Sequence, residues 1–310
     1  MIWSERLFAC EILCNVTHLS FHTRTQAPTI STQATTPMVF VNDADSIHAI
    51  HLHTGKVLSS HIIGSNCSTM VQVAVSASGG LFVSCGRTIY GFGVNMQTRV
   101  WNFTADDTIR VPRVDEVSGS VYFGTDSGRV YKLVASSGSK SWSFMAGQAV
   151  RAPLAVTPSF VYAFSMDGVL HAISQFDGST TWKFLTGDDF TTTSGPVVVN
   201  DTVVLAGQIV YAVDARKGTL LWARAPTSEA KEKPGLSTTP VVSGDNLIIG
   251  SRDADSGTGS INWMSMAAGH TLHTQPLPAE ARGVAANDEL AFVTWSSSAN
   301  SEGGISAFYL

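Results

Sequence analysis

Apolar residues along this chain come in runs of five or six, separated by Gly, Pro, Asp and Ser. The stretch from Val150 to Trp182 shows the scheme: RAPLAV, a break at Thr157-Pro158-Ser159, FVYAFS, a break at Asp167-Gly168, VLHAIS, then Asp177-Gly178 and a run carrying Trp182. Runs this short, rich in Val, Phe, Tyr and Ile and bounded by turn formers, predict antiparallel strands. No segment of about ten residues or more carries the apolar stripe of a helix.

The pattern repeats. TIYGFGVNMQTRVW ends at Trp101, RVYKLVASSGSKSW at Trp142, VLHAISQFDGSTTW at Trp182 and IVYAVDARKGTLLW at Trp222, so the anchors are spaced by 41, 40 and 40 residues. A Gly stands four residues before three of these Trp (Gly138, Gly178, Gly218), and Gln97 takes that place in the earliest copy. Degenerate copies occur as SIHAIHLHTGKVLS, with Gly55 and with Ser59 in the Trp slot, and as SINWMSMAAGHTLH, with Gly269 and His273. A seventh copy begins at ELAFVTW and reaches GISAFYL at Leu310.

Four short strands about every 40 residues make one propeller blade. The fold expected is therefore all-β: a seven-bladed β-propeller of four-stranded antiparallel blades, forming one domain over residues 16–310 after an extension at 1–15. Each Gly supplies the positive φ of a tight turn between the third and fourth strands, and each Trp, placed at the end of a strand, fills the groove between neighbouring blades. The seventh copy shows three strands. Residues near 16 to 21 are expected to add its fourth, and residues near 27 to 33 the first strand of the first blade. A chain cut from a larger protein is the other reading of that ending.

The unit hydrophobic-Tyr/His-Ala-hydrophobic-Asp-x-x-x-Gly-x-x-x-Trp, clearest in VYAVDARKGTLLW, resembles the PQQ-like repeat of the quinoprotein alcohol dehydrogenase-like superfamily, and does not resemble WD40. The resemblance covers about residues 26 to 310. It implies one of two functions, because that superfamily holds quinone-dependent alcohol and sugar dehydrogenases and also cofactor-free scaffolds of the BamB type, used in outer-membrane assembly. The dehydrogenases often carry an adjacent Cys-Cys pair; here the Cys lie at 10, 14, 67 and 85. They are also longer, with eight blades and loop insertions. The resemblance is closest in type to the scaffold.

Composition narrows the functions further. With 19 Lys and Arg against 24 Asp and Glu, a net charge of −5 lacks the cationic excess that a phosphate backbone demands, so nucleic acid is not an expected partner. Mean hydropathy is +0.14, and no apolar run reaches the ~18 residues of a membrane-spanning helix. Glu5, Arg6 and Glu11 interrupt what would be the apolar core of a signal peptide, and the compartment stays open. No G-x-S-x-G, H-E-x-x-H, P-loop or dinucleotide fingerprint is present.

Three sets of residues invite a chemical reading. His48, His51 and His53 suggest a metal, but His48 and His171 fill the slot held by Tyr90, Tyr131 and Tyr211, and His51 that of Asp214, so packing is the expected role. Asp253 to Gly259, DADSGTG, has the look of a calcium loop, yet Met264 stands where its Glu belongs. The inner strands aligned on x-A-P place Gln26, Thr69, Arg110, Arg151, Ser194, Thr238 and Arg282 at one recurrent position near a mouth of the central channel. Arg110, Arg151 and Arg282 would offer an acidic peptide or other anion a positive rim, unless carboxylates such as Asp106, Asp107, Asp115 or Glu116 neutralise them. The expectation is a non-catalytic binding platform for protein or peptide segments, one copy within a complex, without cofactor or metal. A quinone-dependent oxidoreductase, or a degenerate relative of one, is the alternative.

Overall fold

The structure is a computed structural model. It describes residues 29–309 apart from 32–37, 43–45, 52, 64–71, 77, 94–97, 187–193, 226–237, 253–257, 287–289 and 297–302. Among the described residues there are strands and turns and no helix. They fall into two compact units, Met1–Met145 and Ala146–Leu310.

The first unit holds three four-stranded sheets, over residues 29–62, 72–104 and 113–145. The second holds three more, over 155–185, 197–224 and 241–277, followed by three strands over 280–309. Every sheet is an antiparallel meander in chain order. The fourth sheet shows how the sequence places its strands, at Ala155–Val156, Phe160–Ser165, Val169–Ser174 and Thr180–Leu185. The first is shorter than RAPLAV predicts. The first strand of the first sheet, Thr29–Ser31, pairs with Met38–Phe40 as expected, whereas residues 16–21, assigned to the seventh sheet, lie outside the described residues.

The core lies between sheets. Val203 and Leu205 pack with Tyr162 and Leu170 of the preceding sheet, while Val204 and Ala206 of the same strand pack with Leu247 and Ile249 of the following one. Successive residues of a strand point to opposite faces, so a middle strand covered on both sides must be apolar throughout. Phe82 and Ile89 likewise meet Val121 and Phe123 in the first unit, as Ile248 and Ile261 meet Ala291 and Val293 in the second.

Each Trp sits inside its fourth strand, third in Arg99–Thr104, and not at the strand's end. The residue before it is bulged out of register: Ala172 pairs with Trp182 but Ile173 with Thr180, and the same skip recurs at Gly91/Phe92, Lys132/Leu133 and Ala212/Val213. A bulge adds local twist and turns the extra side chain away. It leaves Val100 and Leu221 60% and 52% exposed.

The rings of Trp101, Trp182 and Trp222 reach the next sheet. The Trp101 Nε1 donates to Ala135 O at 2.8 Å, Trp182 Nε1 to Ala215 O at 3.1 Å, and Trp222 Nε1 to Met266 O at 3.0 Å. The six-membered rings lie on Gly138, Gly218 and Gly269, whose φ values are 69, 71 and 70°. A Cβ on Gly138 or Gly218 would stand 2.5 or 2.6 Å from the indole. The turn glycine therefore answers two demands, a left-handed backbone and a bare seat for the neighbouring indole.

Trp182→Ala should lower unfolding free energy by about 3–5 kcal/mol. Gly218→Ala should cost more than Gly244→Ala, which also has positive φ but nothing within 4 Å of the added methyl and should lose only about 1–2 kcal/mol. Equal urea midpoints for the two Ala variants would contradict the seat.

Candidate functional site

Arg110 lies between the second and third sheets of the first unit, where its N–H donates to Gly124 O at 2.8 Å. Its Nε donates to Asp126 Oδ1 at 2.8 Å and its Nη2 to Asp126 Oδ2. Planar guanidinium and carboxylate thus meet in a two-pronged pair, the strongest form of this contact. Asp126 is not among the carboxylates that the sequence suggests as partners. Asp106, which is, accepts from Arg129 Nε and Ser127 Oγ, both at 3.0 Å. Burial raises the Asp106 carboxyl, but hydrogen bonds from Arg129, Ser127 and Tyr131 outweigh it and hold the group below the usual carboxylate range.

In the second unit Arg151 is exposed and stands sixteen residues before Asp167, the interval that separates Arg110 from Asp126. Arg282 is the extra residue of a bulge between Ala281 and Gly283. Its Nε donates to Ser296 Oγ at 2.8 Å, and its Nη2 lies 3.4 Å from Glu280 Oε2.

Two aligned positions in this unit are interior ones. Ser194 and Thr238 are 6% and 2% exposed; Ser194 Oγ donates to Thr238 O at 3.1 Å, and Thr238 Oγ1 accepts from Gly250 N at 2.8 Å. These hydroxyls tie successive inner segments together and are not rim residues. Gln26 and Thr69 lie outside the described residues.

The histidines have structural partners. His51 Nδ1 accepts from the backbone N–H of His53 and Thr54 at 3.3 and 3.2 Å, as Asp214 Oδ1 accepts from Arg216 and Lys217 at 2.9 and 2.8 Å. An imidazole thus does an aspartate's work in the same turn of the repeat. His48 Nδ1 is 2.8 Å from Ser60 Oγ. No three or more His, Cys, Asp or Glu among the described residues stand close enough to hold a metal ion, and residues 253–257 of the calcium-like stretch are not among those described.

His171 brings together a group that the sequence does not single out. Ser165 Oγ lies 3.1 Å from His171 Nε2 and 3.1 Å from Val169 O, and it bonds Asp167 Oδ1. The residue types are those of a hydrolytic triad, but Ser165 is 0% and His171 1% exposed, so no substrate reaches the hydroxyl. Thr125 Oγ1 occupies the equivalent turn in the third sheet, accepting from Arg129 N at 3.0 Å; the hydroxyl's task is to cap the hairpin. Burial, with a smaller push from Lys183, drives the His171 imidazole down to about 4 against the pull of Asp167.

An open apolar groove of about 450 Å³ lies between the sixth and seventh sheets. Here the repeat is exchanged: Trp263 stands on the third strand, paired with His273 in the Trp slot. Trp263 meets His273 at 5.2 Å and Phe308 edge-on at 5.9 Å between centroids. Leu272, the bulge residue, and Tyr309 at the margin are 52% and 81% exposed. The sequence carries a signal, since His273 and Trp263 depart from the repeat, but nothing in it shows that a groove results.

Residues 43–308 match the family model described as outer membrane protein assembly factor BamB. Among curated proteins, the outer membrane protein assembly factor BamB of Moranella endobia (strain PCIT) is 26% identical over 192 residues, 58% of this chain and 45% of that protein. The chain spans a little under half the length of that relative. Among solved structures, the crystal structure of BamB from Moraxella catarrhalis has a TM-score of 0.71 at 16% identity, covering 92% of this chain and 84% of the other. That likeness shows the fold, the β-propeller that the repeat predicts.

The buried imidazole gives a pH dependence of defined sign. His171 takes a proton at about 6.5 when unfolded and at about 4 when folded, so the unfolded chain binds more protons between those values. Stability should be complete above pH ~6.5 and fall by about 3 kcal/mol on the way to pH 4. Asp177 and Asp214, held below the usual carboxylate range by the Ser174 hydroxyl and the Lys217 N–H respectively, stay ionised across that window. Urea midpoints at pH 7 and 4.5 should differ in the parent chain and converge in His171→Gln.

Proposed function

This chain belongs to the family of outer membrane protein assembly factor BamB, and on that premise we propose that it is a non-catalytic β-propeller scaffold. It binds protein or peptide segments as one copy within a complex that assembles outer membrane proteins, with residues 16–310 acting as a single propeller domain and without a cofactor. The match over residues 43–308 carries the reading. A net charge of −5 opposes a nucleic-acid partner. No helix among the described residues is long and apolar enough to cross a membrane.

The chemistry at these sites supports a platform. Asp126 holds Arg110, the Ser165 and His171 pair is closed to solvent, and His51 caps a turn. The outward side chains of the fourth strands are offered to a partner, including Leu185, 67% exposed, and the bulge residues Leu221 and Leu272, both 52% exposed. Arg151 and Arg282 are proposed as supplementary contacts for acidic segments, with Arg110 beside its carboxylate.

A photoreactive amino acid placed at Leu185, Leu221 or Leu272 should crosslink in native cells to proteins of outer-membrane assembly. Saturable binding of pyrroloquinoline quinone with calcium, accompanied by dye reduction with alcohols or sugars, would overturn the scaffold. The triple variant of Arg110, Arg151 and Arg282 to Ala should bind the crosslinked partner several-fold more weakly, and unchanged affinity removes the arginines from the interface.

A further inference from the structure

The groove between the sixth and seventh sheets carries donors that the protein does not use. Trp101, Trp182 and Trp222 give their indole N–H to a backbone carbonyl, and Trp295 gives its own to Ser306 Oγ at 3.0 Å. Trp263 lines the groove and is 7% exposed, yet its Nε1 has no hydrogen-bond partner among the described residues. An indole so nearly buried ordinarily satisfies that donor. The Tyr309 hydroxyl, at the margin of the same groove, also has no partner among the described residues.

The lining narrows the ligand. No Asp, Glu, Lys or Arg belongs to it, so nothing there repays the desolvation of a charged guest. Trp263 is already packed on His273 and Phe308, at 5.2 and 5.9 Å between centroids, so its free contribution is the N–H and not a ring face. The matching occupant is uncharged, with apolar surface for Phe308 and Leu272 and carbonyl acceptors for Trp263 and Tyr309. Proline-rich segments have that chemistry. Each proline adds an apolar ring, keeps its carbonyl and lacks the N–H that a donor-lined groove would leave unpaired. Such segments are also extended before they bind, so little ordering entropy is lost on an open aromatic surface.

We infer that the groove binds a proline-rich segment of a partner protein in the polyproline II conformation. Its carbonyls accept from Trp263 Nε1 and the Tyr309 hydroxyl, and its prolines pack on Phe308 and Leu272. The inference rests on the scaffold reading and deepens it, because it names the chemistry of one segment that the platform takes. It also gives a use to the departure from the repeat. An indole in the fourth-strand slot donates to the next sheet and is spent there; with His273 in the slot and Trp263 on the third strand, the N–H is kept for a guest.

Fluorescence anisotropy of a labelled, acetylated oligoproline should show saturable binding to the full chain, and a Gly-Ser peptide of equal length should show none. Trp263→Phe and Tyr309→Phe each keep a ring and remove one donor. Each should weaken binding about fivefold, the worth of one neutral hydrogen bond. Tyr309 is 81% exposed, so its variant should keep the parent urea midpoint and remains a test if Trp263→Phe unfolds. Absent oligoproline binding, equal binding of the Gly-Ser peptide, or unchanged affinity in either folded donor variant overturns the inference. Preference for an oligolysine, for a Gly-Ser peptide carrying one Trp, or for an alternating Val-Thr strand overturns it too, by assigning the groove to a cation, an aromatic ring or a paired strand. Crosslinking from Leu185 keeps the two readings apart. Assembly partners captured there without oligoproline binding remove the groove alone, whereas oligoproline binding without such partners removes the scaffold's assignment and leaves the groove.

Discussion

An indole can lie flat against a neighbouring sheet only where that sheet presents no side chain. Trp101, Trp182 and Trp222 each meet this condition on a turn glycine, and each also donates its ring N–H to a backbone carbonyl of the turn it covers. The large apolar face leaves water and the one polar atom is satisfied, so little of the burial is lost to an unpaired donor. In the fourth sheet Tyr162 reinforces the lock, its hydroxyl donating at 2.8 Å to the same Ala215 carbonyl that Trp182 uses. Burial raises that phenol to about 12, so it keeps its donor at any ordinary pH.

Much of this is legible in the sequence because it is periodic. The spacing of the Trp, the alternation of runs and turns, and the glycines fix the strands and the sheet count, and place His51 in an aspartate's slot on alignment alone. What the spacing cannot supply is which residues held at a fixed interval touch. Asp126 follows Arg110 by sixteen residues, as Asp167 follows Arg151, but it belongs to the next sheet's hairpin and is reached by the chain's return, so carboxylates nearer in sequence suggest themselves first. Ser194 and Thr238 share a repeat position with three arginines yet are buried, since a short hydroxyl can turn inward to a carbonyl where a guanidinium must remain solvated. The bulge before each Trp leaves no compositional trace, because Val100, Ser141, Thr181 and Leu221 have nothing in common beyond being turned outward.

The same economy accounts for the site. A repeat that uses its hydroxyls to cap hairpins and its carboxylates to hold turns leaves few polar groups poised for reaction. Ser165, His171 and Asp167 make the point: an arrangement that would suggest hydrolysis if open is here one of a series of capped turns, of which Thr125 is another member. Burial that lowers the imidazole also closes the route to it. What faces outward instead is the fourth strand of each sheet, whose bulge presents an apolar side chain at Val100, Leu221 and Leu272 and a hydroxyl at Ser141 and Thr181.

The degenerate copies test whether the glycine is kept for its turn or for its guest. If the turn alone required it, glycine would occur at that slot in every copy; if the indole required it, glycine could lapse where the preceding sheet has no Trp. The first sheet has Ser59 in its Trp slot, and the sheet that follows has Gln97 in place of the glycine. The sheets following Trp101, Trp182 and Trp222 have Gly138, Gly218 and Gly269. Guest and seat were lost together, the pattern expected when a steric demand from the neighbouring sheet, added to the conformational demand of the turn, holds the residue in place. The sixth sheet shows the same dependence from the other side: with His273 in the slot and the large ring moved to Trp263, the junction to the next sheet is left as an open groove, whereas Trp101, Trp182 and Trp222 fill theirs.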